Sequence, residues 1–263
     1  MPDAPDEPML LTAAEGGVVT LTLNRPQAFN SLSEALIEAI QRELDRIEAD
    51  AAARVLVLRG NGKAFSAGHD LKEMGDNRTR EDLGRLFQRC SAMMTRLTKL
   101  PVPVIAVVDG IATAAGCQLV AACDLAVASD RSRFATSGVK YGLFCSTPMV
   151  ALSRNVPRKP ALEMLLTGDF IDAATARQYG LVNDVATPAA LDDAVAALTA
   201  RLVDKPREVL ALGKRAFYAQ LEMGLEEAYA FTTEAIVDNA MMADFEEGLA
   251  AFKEKRQPRW NAS

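Results

Sequence analysis

Residues 110–119 have the sequence GIATAAGCQL, in which small side chains join a predicted strand to a predicted helix. The strand is VIAVV at residues 104–108, which Pro103 and Gly110 separate from its surroundings. Small residues let a backbone approach a ligand closely, and the N-terminus of a helix adds a positive partial charge. Close packing of a helix on a sheet requires the same residue types, so the segment by itself supports a ligand site and plain packing equally.

A second turn of this kind lies at residues 64–74, which read AFSAGHDLKEM. Small residues and Gly68 follow a strand and precede a helix, and such a turn can expose backbone N–H groups to an anion or a developing oxyanion. The spacing alone favours an ordinary connection between a strand and a helix. His69 is the single histidine of the chain, so any chemistry that needs an imidazole depends on it.

A third segment, residues 252–260 with the sequence FKEKRQPRW, has four basic residues and one acidic residue in a chain of net charge −6. Such a cluster can hold a phosphorylated ligand. Basic residues at the end of a helix also interact favourably with the helix dipole, and composition alone favours that second interpretation.

The remaining sequence predicts strands that alternate with helices and then a block of helices, which is an α/β fold with an appended helical region. Ser31 or Ser33 is expected to cap the first helix. We divide the chain into a disordered tail at 1–8, a core at 9–200 and a C-terminal helical region at 201–263. Strands are predicted at residues 18–23, 55–58, 104–108, 124–128 and near 181–185, and helices at 32–50, 79–100, 160–167, 173–179, 190–203, 206–221 and 225–254.

The composition is that of a globular protein, with 49% apolar and 24% charged residues among 263. It excludes a disordered chain, collagen and a coiled coil, and no apolar run approaches the length of about 18 residues that a membrane span needs. The acidic balance argues against a nucleic-acid partner. Four cysteines in apolar contexts do not indicate a disulfide framework. Residues 1–9 resemble neither a secretory signal nor a transit peptide, so we expect a cytoplasmic location.

Six segments follow one another over about residues 18–260. They are LNRP at 23–26 with NSL at 30–32, AFSAGHDLKEM at 64–74, GIATAAGCQLVAACDLAVAS at 110–129, ALEMLLTG at 161–168, residues 174–182, and EGLAAFKEKRQPRW at 247–260. In this order they resemble the segments of the crotonase superfamily, the enoyl-CoA hydratase/isomerase proteins. The GHDLKE stretch is similar to one subgroup of that family, named enoyl-CoA hydratase domain-containing protein 3.

The resemblance implies a ClpP-like crotonase fold, in which repeated ββα units wind around two nearly perpendicular sheets. It also implies C-terminal helices that form trimers, commonly paired into hexamers. The helical block after residue 200 has more apolar residues than a monomer needs to cover one sheet, which favours the same assembly. Examples are Val209, Leu212, Phe217, Leu221, Ala228, Phe231 and Ile236.

The resemblance also implies an acyl-CoA thioester as substrate or ligand and no metal or other cofactor. Two backbone N–H groups, those of His69 and Ala115 by motif position, would hold the thioester oxygen and stabilise an enolate-like intermediate. The coenzyme A portion would contact basic residues and an aromatic side chain near the adenine. The residues that match these contacts are Arg25, Ala67, Lys72, Phe252 and Lys255, with Lys253 as a further candidate.

Both glutamates of the hydratases are missing from this sequence. Gln118 stands at the first position, and an amide cannot exchange a proton near neutral pH. Gly138 stands at the second position, where we expect a gap that bulk water can fill. Each such group typically contributes about 10²–10⁴-fold to the rate, so hydration of crotonyl-CoA is expected to be weak or absent.

Two classes of function therefore remain open. One is an enzyme on coenzyme A thioesters that uses another proton donor, such as His69, Asp70 or a carboxylate of the substrate. The other is a non-catalytic acyl-CoA binder in fatty-acid metabolism. Cys145 and Ser146 fall where the family lines its acyl pocket, and a nucleophile there would need a base that the sequence does not supply.

Overall fold

The computed structural model describes residues 8–76 and 78–260 and contains two β-sheets. The larger sheet has the order β1-β2-β3-β5-β7-β10, and the smaller one has the order β4-β6-β8-β9. The strands are β1 (Leu10–Glu15), β2 (Val18–Leu23), β3 (Val55–Gly60), β4 (Ala64–Ser66), β5 (Val104–Val108), β6 (Ile111–Thr113), β7 (Leu125–Ser129), β8 (Arg133–Ala135), β9 (Ile171–Asp172) and β10 (Asp184–Ala186).

Helices fill the connections between the strands and make up most of the chain after residue 143. They are α1 (Glu34–Ala49), α2 (Leu71–Asp76), α3 (Arg80–Lys99), α4 (Ala115–Ala122), α5 (Ser146–Asn155), α6 (Arg158–Thr167), α7 (Ala173–Gln178), α8 (Leu191–Val203), α9 (Arg207–Gln220), α10 (Leu225–Ala240) and α11 (Ala243–Glu254). Short 3-10 helices lie at Pro26–Ala28, Ser137–Tyr141 and Pro188–Ala190.

The ββα repeat is visible in how the chain passes between the sheets. After β3, β5 and β7 of the larger sheet, the chain turns at once into β4, β6 and β8 of the smaller one. At one of these corners Gly110 has φ +102°, and a Cβ there would lie 2.2 Å from the carbonyl oxygen of Lys63. Glycine is therefore required for the tight turn between β5 and β6.

Local sequence explains the main elements. The buried residues Leu36, Ile40, Leu44 and Ile47 of α1 recur at helical spacing, and the N–H of Leu36 donates to the Ser33 hydroxyl at 3.2 Å. This confirms the predicted cap. Strand β5 is apolar throughout because it is paired in parallel on both sides and buried on both faces.

Several boundaries differ from the sequence prediction. Strand β1 was not predicted, because five of its six residues are exposed and show no apolar alternation. The predicted strand near 181–185 is β10 at Asp184–Ala186, whereas Leu181 and Val182 are buried in the preceding turn. The predicted helix 225–254 breaks at Met241 and Met242, which carry no Gly or Pro signal.

The division of the chain at residue 200 stays a prediction. That residue lies within α8, and the first helix to begin after it is α9. The predicted tail at 1–8 falls, apart from Pro8, outside the described residues. Apolar side chains on α9–α11 and in the connections between these helices are exposed in the single chain, and the trimer stays a prediction. Examples are Phe217, Leu221, Leu225, Tyr229, Ile236, Val237 and Met241.

Candidate functional site

Three strand ends of the smaller sheet converge at one edge. Strands β4, β6 and β8 are parallel neighbours, so their carboxyl ends lie side by side. The turns that leave this edge are residues 67–70, 114–118 and 136–138. Ligands of open parallel sheets bind outside the carboxyl ends of the strands. The first two turns are the segments that the sequence singled out, and the structure brings them together.

The first turn is held by a parallel bridge between Leu32 and His69. The N–H of Leu32 donates to the carbonyl of Gly68 at 2.7 Å, and the N–H of Asp70 donates to the carbonyl of Leu32 at 3.3 Å. These bonds flank His69, so its own N–H points to the opposite side of the bridge. Gly68 makes the bend with φ +94°.

The second turn combines an unusual backbone with very close packing. Ala114, the N-cap of α4, has φ +50° and ψ −120°, a conformation that favours glycine. The next residue, Ala115, begins α4, and its N–H is one of the four that an α-helix leaves without an internal partner. A Cβ on Gly116 would lie 2.1 Å from the carbonyl oxygen of Ser66, so only glycine fits there.

The two turns touch each other. A Cβ on Gly68 would lie 2.8 Å from the Cβ of Ala114 and 3.2 Å from the amide nitrogen of Ala115. The backbone before His69 is thus packed directly against the N-terminus of α4. The joint role of the backbone N–H groups of His69 and Ala115 as donors to one oxygen stays a prediction.

An ion pair secures the first turn. Arg25 donates from Nη2 to Oδ2 of Asp70 at 3.0 Å and from Nη1 to the carbonyl of Ser31 at 2.6 Å. The Ser31 hydroxyl donates to the same Asp70 oxygen at 3.2 Å. Burial works against the shift, but hydrogen bonds from Arg25, Ser31 and the backbone of Lys72 hold the pKa of the Asp70 carboxyl below its ordinary value. The terminal nitrogens of Arg25 are thus engaged inside the chain.

The His69 side chain is enclosed rather than free. Its ring meets Phe87 edge-on, with centroids 5.2 Å apart and planes at 87°. Burial lowers the pKa of the imidazole, with the backbone of Leu32 opposing the shift, so the ring is neutral at pH 7. Within the described part of the chain, neither ring nitrogen has a hydrogen-bond partner.

The prediction of a water-filled gap at Gly138 is wrong, because other atoms of the chain occupy that space. A Cβ there would lie 2.3 Å from the carbonyl oxygen of Leu143 and 2.8 Å from Sγ of Cys145. A Gly138→Glu substitution therefore meets backbone, not water. Burial raises the pKa of the Cys145 thiol, with the N–H of Gly138 opposing the shift, so the thiol is protonated at neutral pH.

Gln118 lies in the first turns of α4 and is 4% exposed. Its Oε1 atom is buried and has no partner among the residues that the structure describes. The same holds for Oγ1 of Thr136, the residue directly after β8. By contrast, Thr113 at the end of β6 shares a hydrogen bond of 2.8 Å with Ser137.

The remaining coenzyme A candidates lie on separate elements. Ala67 belongs to the first turn, where its N–H donates to the carbonyl of Phe29 at 2.9 Å, and Lys72 is exposed on α2. Phe252 is 82% exposed near the end of α11. Lys253 and Lys255 are exposed beside it. Within one chain Phe252 therefore does not pack against the two turns, and its role as a ligand contact stays a prediction.

Sequence reasoning missed how strongly residues 25–32 shape the site. Phe29 and Asn30 both have positive φ, at 51° and 52°. The buried Asn30 side chain donates to the carbonyls of Ala64 at 2.7 Å and Asn61 at 2.8 Å, and the backbone carbonyl of Asn30 accepts from the Ser66 hydroxyl. The LNRP…NSL motif was the available signal, but a motif does not show which strand its side chains hold.

A buried polar cluster at the other end of α4 was also missed. Lys214 of α9 pairs with Asp124 at 2.6 Å and donates to the carbonyls of Leu97 and Val102. Tyr218 donates to the second oxygen of Asp124 at 2.9 Å. Every polar group in this cluster is paired, so it fastens α9 to the core and has no open position for a ligand.

The comparisons with known proteins all point to enoyl-CoA hydratase proteins. A family model described as Enoyl-CoA hydratase/isomerase matches residues 13–263. Enoyl-CoA hydratase domain-containing protein 3, mitochondrial, from Xenopus laevis is 45% identical over 256 residues, which are 97% of this chain and 87% of the relative. A crystal structure of enoyl-CoA hydratase from Mycobacterium smegmatis matches with TM-score 0.95 at 55% identity, covering 97% of this chain and 99% of that one.

The crystal structure of human enoyl-CoA hydratase domain-containing protein 3 matches with TM-score 0.94 at 44% identity, covering 96% of this chain and all of that one. These likenesses confirm the predicted crotonase fold and the resemblance to this subgroup. In residues 8–76 and 78–260, every helix is too short or too polar to cross a bilayer.

The expected cytoplasmic location is contradicted by the same comparisons. The relatives from Xenopus laevis, Mus musculus and Homo sapiens, each of which aligns with at least 93% of this chain, are named mitochondrial. A protein's destination is set by short targeting segments that leave no mark on the composition of the folded part. The cytoplasmic prediction rested on the lack of signal or transit features at residues 1–9, and the mitochondrial names of these relatives overturn it.

Proposed function

Because this chain belongs to the enoyl-CoA hydratase/isomerase family, we propose that it binds acyl-CoA thioesters and holds the thioester oxygen between the backbone N–H groups of His69 and Ala115. The observation that carries the proposal is the contact of Gly68 with the amide of Ala115, where a Cβ would lie 3.2 Å away. Two converging donors at the N-terminus of a helix suit an oxygen that gains negative charge.

The chemical consequence is a polarised thioester. Hydrogen bonds to the oxygen stabilise an enolate, and one such donor can lower the transition state by about 2.7–4 kcal/mol. Each donor is fixed by its own structure, the first by the bridge to Leu32 and the second by the packing of Gly116 on Ser66. Both positions are set before a ligand arrives, which is the condition for effective electrostatic stabilisation.

The proposed site has few side chains that could donate or accept a proton. The amide of Gln118 cannot take a proton, Gly138 has no side chain, and no Asp or Glu occurs between Phe134 and Val156. The Cys145 thiol beside Gly138 is protonated at neutral pH. We therefore expect slow or no hydration of crotonyl-CoA, with turnover well below about 10 s⁻¹, the median of ordinary enzymes.

Two classes of function remain for an enolate-stabilising site of this kind. In one, His69, Asp70 or a carboxylate of the substrate moves the proton. In the other, the chain binds acyl-CoA without turnover. The enclosed, neutral His69 ring and the engagement of Asp70 by Arg25 favour the second, because neither group is free to exchange protons in the resting protein.

The coenzyme A phosphates would meet exposed cations. Lys72 lies on α2, directly after the first turn, and Lys253 and Lys255 lie at the end of α11 beside Phe252. The exposed apolar side chains of α9–α11 support assembly into a trimer or hexamer, which would allow α11 of one subunit to serve the site of another. A monomeric mass by light scattering at micromolar concentration would contradict this assembly.

The experiment compares ligand binding with and without the second donor. In Ala115→Pro the N–H is replaced, and proline is well tolerated at the first position of a helix. Ala243→Pro, at the first position of α11, is the matched control. We expect only Ala115→Pro to lose the red shift in the absorption of bound cinnamoyl-CoA, a conjugated thioester whose spectrum reports polarisation of its carbonyl.

Calorimetry with coenzyme A and with acetyl- to long-chain acyl-CoA completes the test. Binding of acyl-CoA by the unmodified protein, with a red shift that Ala243→Pro retains, supports the proposal. Absence of binding at millimolar concentration overturns it, and so does a red shift that Ala115→Pro leaves unchanged. Crotonyl-CoA turnover above about 10 s⁻¹ would show that another residue moves protons in this site.

A further inference from the structure

The basic segment that follows α11 turns back along its own helix. Lys255 lies in left-handed backbone, with φ 53° and ψ 41°. Its N–H donates to the carbonyl of Phe252 at 3.3 Å, and the N–H of Arg256 donates to the carbonyl of Ala251 at 3.1 Å. These two bonds form the Schellman motif, in which the left-handed residue is usually glycine. A lysine is strained in that position, and strain of this kind persists only where the surrounding structure holds it, typically at functional sites.

One carboxylate of α11 binds the returning chain. Glu247 accepts from Nη1 and Nη2 of Arg256 at 2.6 Å and 2.9 Å, and its Oε1 atom also accepts from the N–H of Arg259 at 2.6 Å. Two parallel hydrogen bonds from one guanidinium fix direction as well as distance. Together with the N–H of Arg259 they lower the pKa of the Glu247 carboxyl to about 2, so this carboxylate is charged near neutral pH.

Trp260 fastens the end of the returning chain. Its Nε1 atom donates to the carbonyl of Asp204 at 2.7 Å, and Asp204 is the residue at which α8 ends. The indole also lies beside Gly248, where a Cβ would be 3.7 Å from the ring. The chain therefore forms α9–α11 and returns to the point at which α8 ends. We call Glu247, Arg256 and Trp260 the C-terminal latch.

The C-terminal latch uses one cation and leaves two others free. Among the described residues, Arg256 pairs with two carboxylates, whereas Lys253 and Lys255 form no ion pair. Ala251 is the one buried residue of α11, so packing against the core contributes little to the position of this helix. The latch supplies hydrogen bonds in place of packing and fixes the backbone that carries Lys255. A preorganised cation binds an anion more tightly, because less freedom is lost on binding.

We propose that the C-terminal latch is a positioning device for the Lys255 side chain, with Glu247 as its central residue, and that it tightens binding of the phosphate-bearing part of the ligand. The proposal rests on the proposed function, in which Lys255 meets the phosphates of coenzyme A. Lys255 lies where the chain reverses, whereas Lys253 lies within α11, so the latch controls the first of these cations. Charge alone predicts the opposite effect, since a carboxylate near a phosphate weakens the binding of that phosphate.

The experiment is calorimetric titration with cinnamoyl-CoA and with S-cinnamoyl-pantetheine, which has the same thioester but neither phosphates nor adenosine. Glu247→Gln opens the latch with little change of shape. We expect it to weaken the binding of cinnamoyl-CoA by at least about fivefold and to change that of S-cinnamoyl-pantetheine by less than about twofold. Glu222→Gln is the matched control, because it changes the net charge equally and breaks an exposed pair with Arg154 at 3.3 Å. It should leave both affinities unchanged.

Further variants separate positioning from a structural role. Lys255→Met and Lys253→Met each remove one cation. The loss caused by Glu247→Gln should persist in the Lys253→Met protein and fall below about twofold in the Lys255→Met protein, because a positioning residue acts only through the group that it positions. Lys255→Gly should weaken the binding of cinnamoyl-CoA and yet raise the melting temperature by about 2–4 °C, since glycine adopts left-handed backbone without strain.

The outcomes distinguish the two proposals. Tighter or unchanged binding of cinnamoyl-CoA by Glu247→Gln overturns the latch and leaves the proposed function standing. Equal losses for the two thioesters, equal losses in the two lysine backgrounds, or full affinity in Lys255→Gly also overturn the latch alone. If S-cinnamoyl-pantetheine binds too weakly to measure, the two lysine backgrounds decide. If cinnamoyl-CoA does not bind to the unmodified protein, the proposed function fails, and the latch fails with it.

Discussion

The two turns of the candidate site are fixed by different means. The turn at His69 is held by its backbone bridge to Leu32 and, in addition, by charged and polar side chains, namely the Arg25–Asp70 ion pair and the hydroxyl of Ser31. The turn at Ala115 is held by shape, with Gly116 against the backbone of Ser66 and Ala114 in a conformation that favours glycine. We therefore expect the stability of the first turn to depend on charge and pH. The stability of the second turn should depend on the addition or removal of a single methyl group.

The largest effect is expected from a methyl group in the second turn. In Gly116→Ala the new Cβ would lie 2.1 Å from the carbonyl oxygen of Ser66, and two backbone segments would have to move apart. We expect the free energy of unfolding to fall by about 3 kcal/mol or more. Urea denaturation measures it.

Gly84→Ala is the matched control for that substitution, because nothing lies within 4 Å of a Cβ at Gly84 in α3. Its free energy of unfolding should rise by about 0.5–1 kcal/mol, because alanine has a higher helix propensity than glycine. Equal effects of the two substitutions would show that the contact between α4 and β4 is not a close one.

The next effect tests the first turn. Arg25→Met keeps the aliphatic stem but leaves the Asp70 carboxylate without its cation, and hydrogen bonds to charged groups typically contribute about 1.5–3 kcal/mol. We expect a loss of stability in that range. Arg42→Met removes an exposed cation 3.9 Å from Glu38 and should cost less than about 0.5 kcal/mol.

The same ion pair gives the first turn a pH dependence. The folded pKa of Asp70 lies below its ordinary value, so its contribution is present above the unfolded pKa of about 3.9 and is lost as the pH falls through the folded value. The difference in unfolding free energy between the unmodified protein and Arg25→Met should stay constant from about pH 8 to pH 5 and shrink below about pH 4. A difference that grows on acidification would contradict the pairing.

The smallest effect on stability is expected from relieving backbone strain at Ala114 in the second turn. Ala114 has φ +50° and ψ −120°, which an alanine adopts only with strain. Ala114→Gly should therefore raise the free energy of unfolding by about 0.5–1 kcal/mol, the relief of strain exceeding the entropy lost by glycine. Ala190→Gly, at an N-cap with φ −101°, should give no gain. Thermal unfolding of both variants measures the difference.

The sequence alone predicted the α/β class, most helices, the four central strands of the larger sheet and the family. These features could be predicted because the signals for them lie in short stretches of neighbouring residues. Leu36, Ile40, Leu44 and Ile47 recur with the helical period, and β5 is apolar throughout because both of its faces are buried. The two turns were also found, because their small residues and their motifs lie within short contiguous segments.

Only the tertiary structure decided what surrounds each candidate residue. The bridge to Leu32 sets the direction of the His69 N–H, Leu143 and Cys145 fill the space at Gly138, and Asp70 engages Arg25. These contacts join residues far apart in the chain, so no local period or composition encodes them. Their geometry follows from how the two sheets and their helices pack, which is why a motif can name a residue but cannot show which atoms it meets.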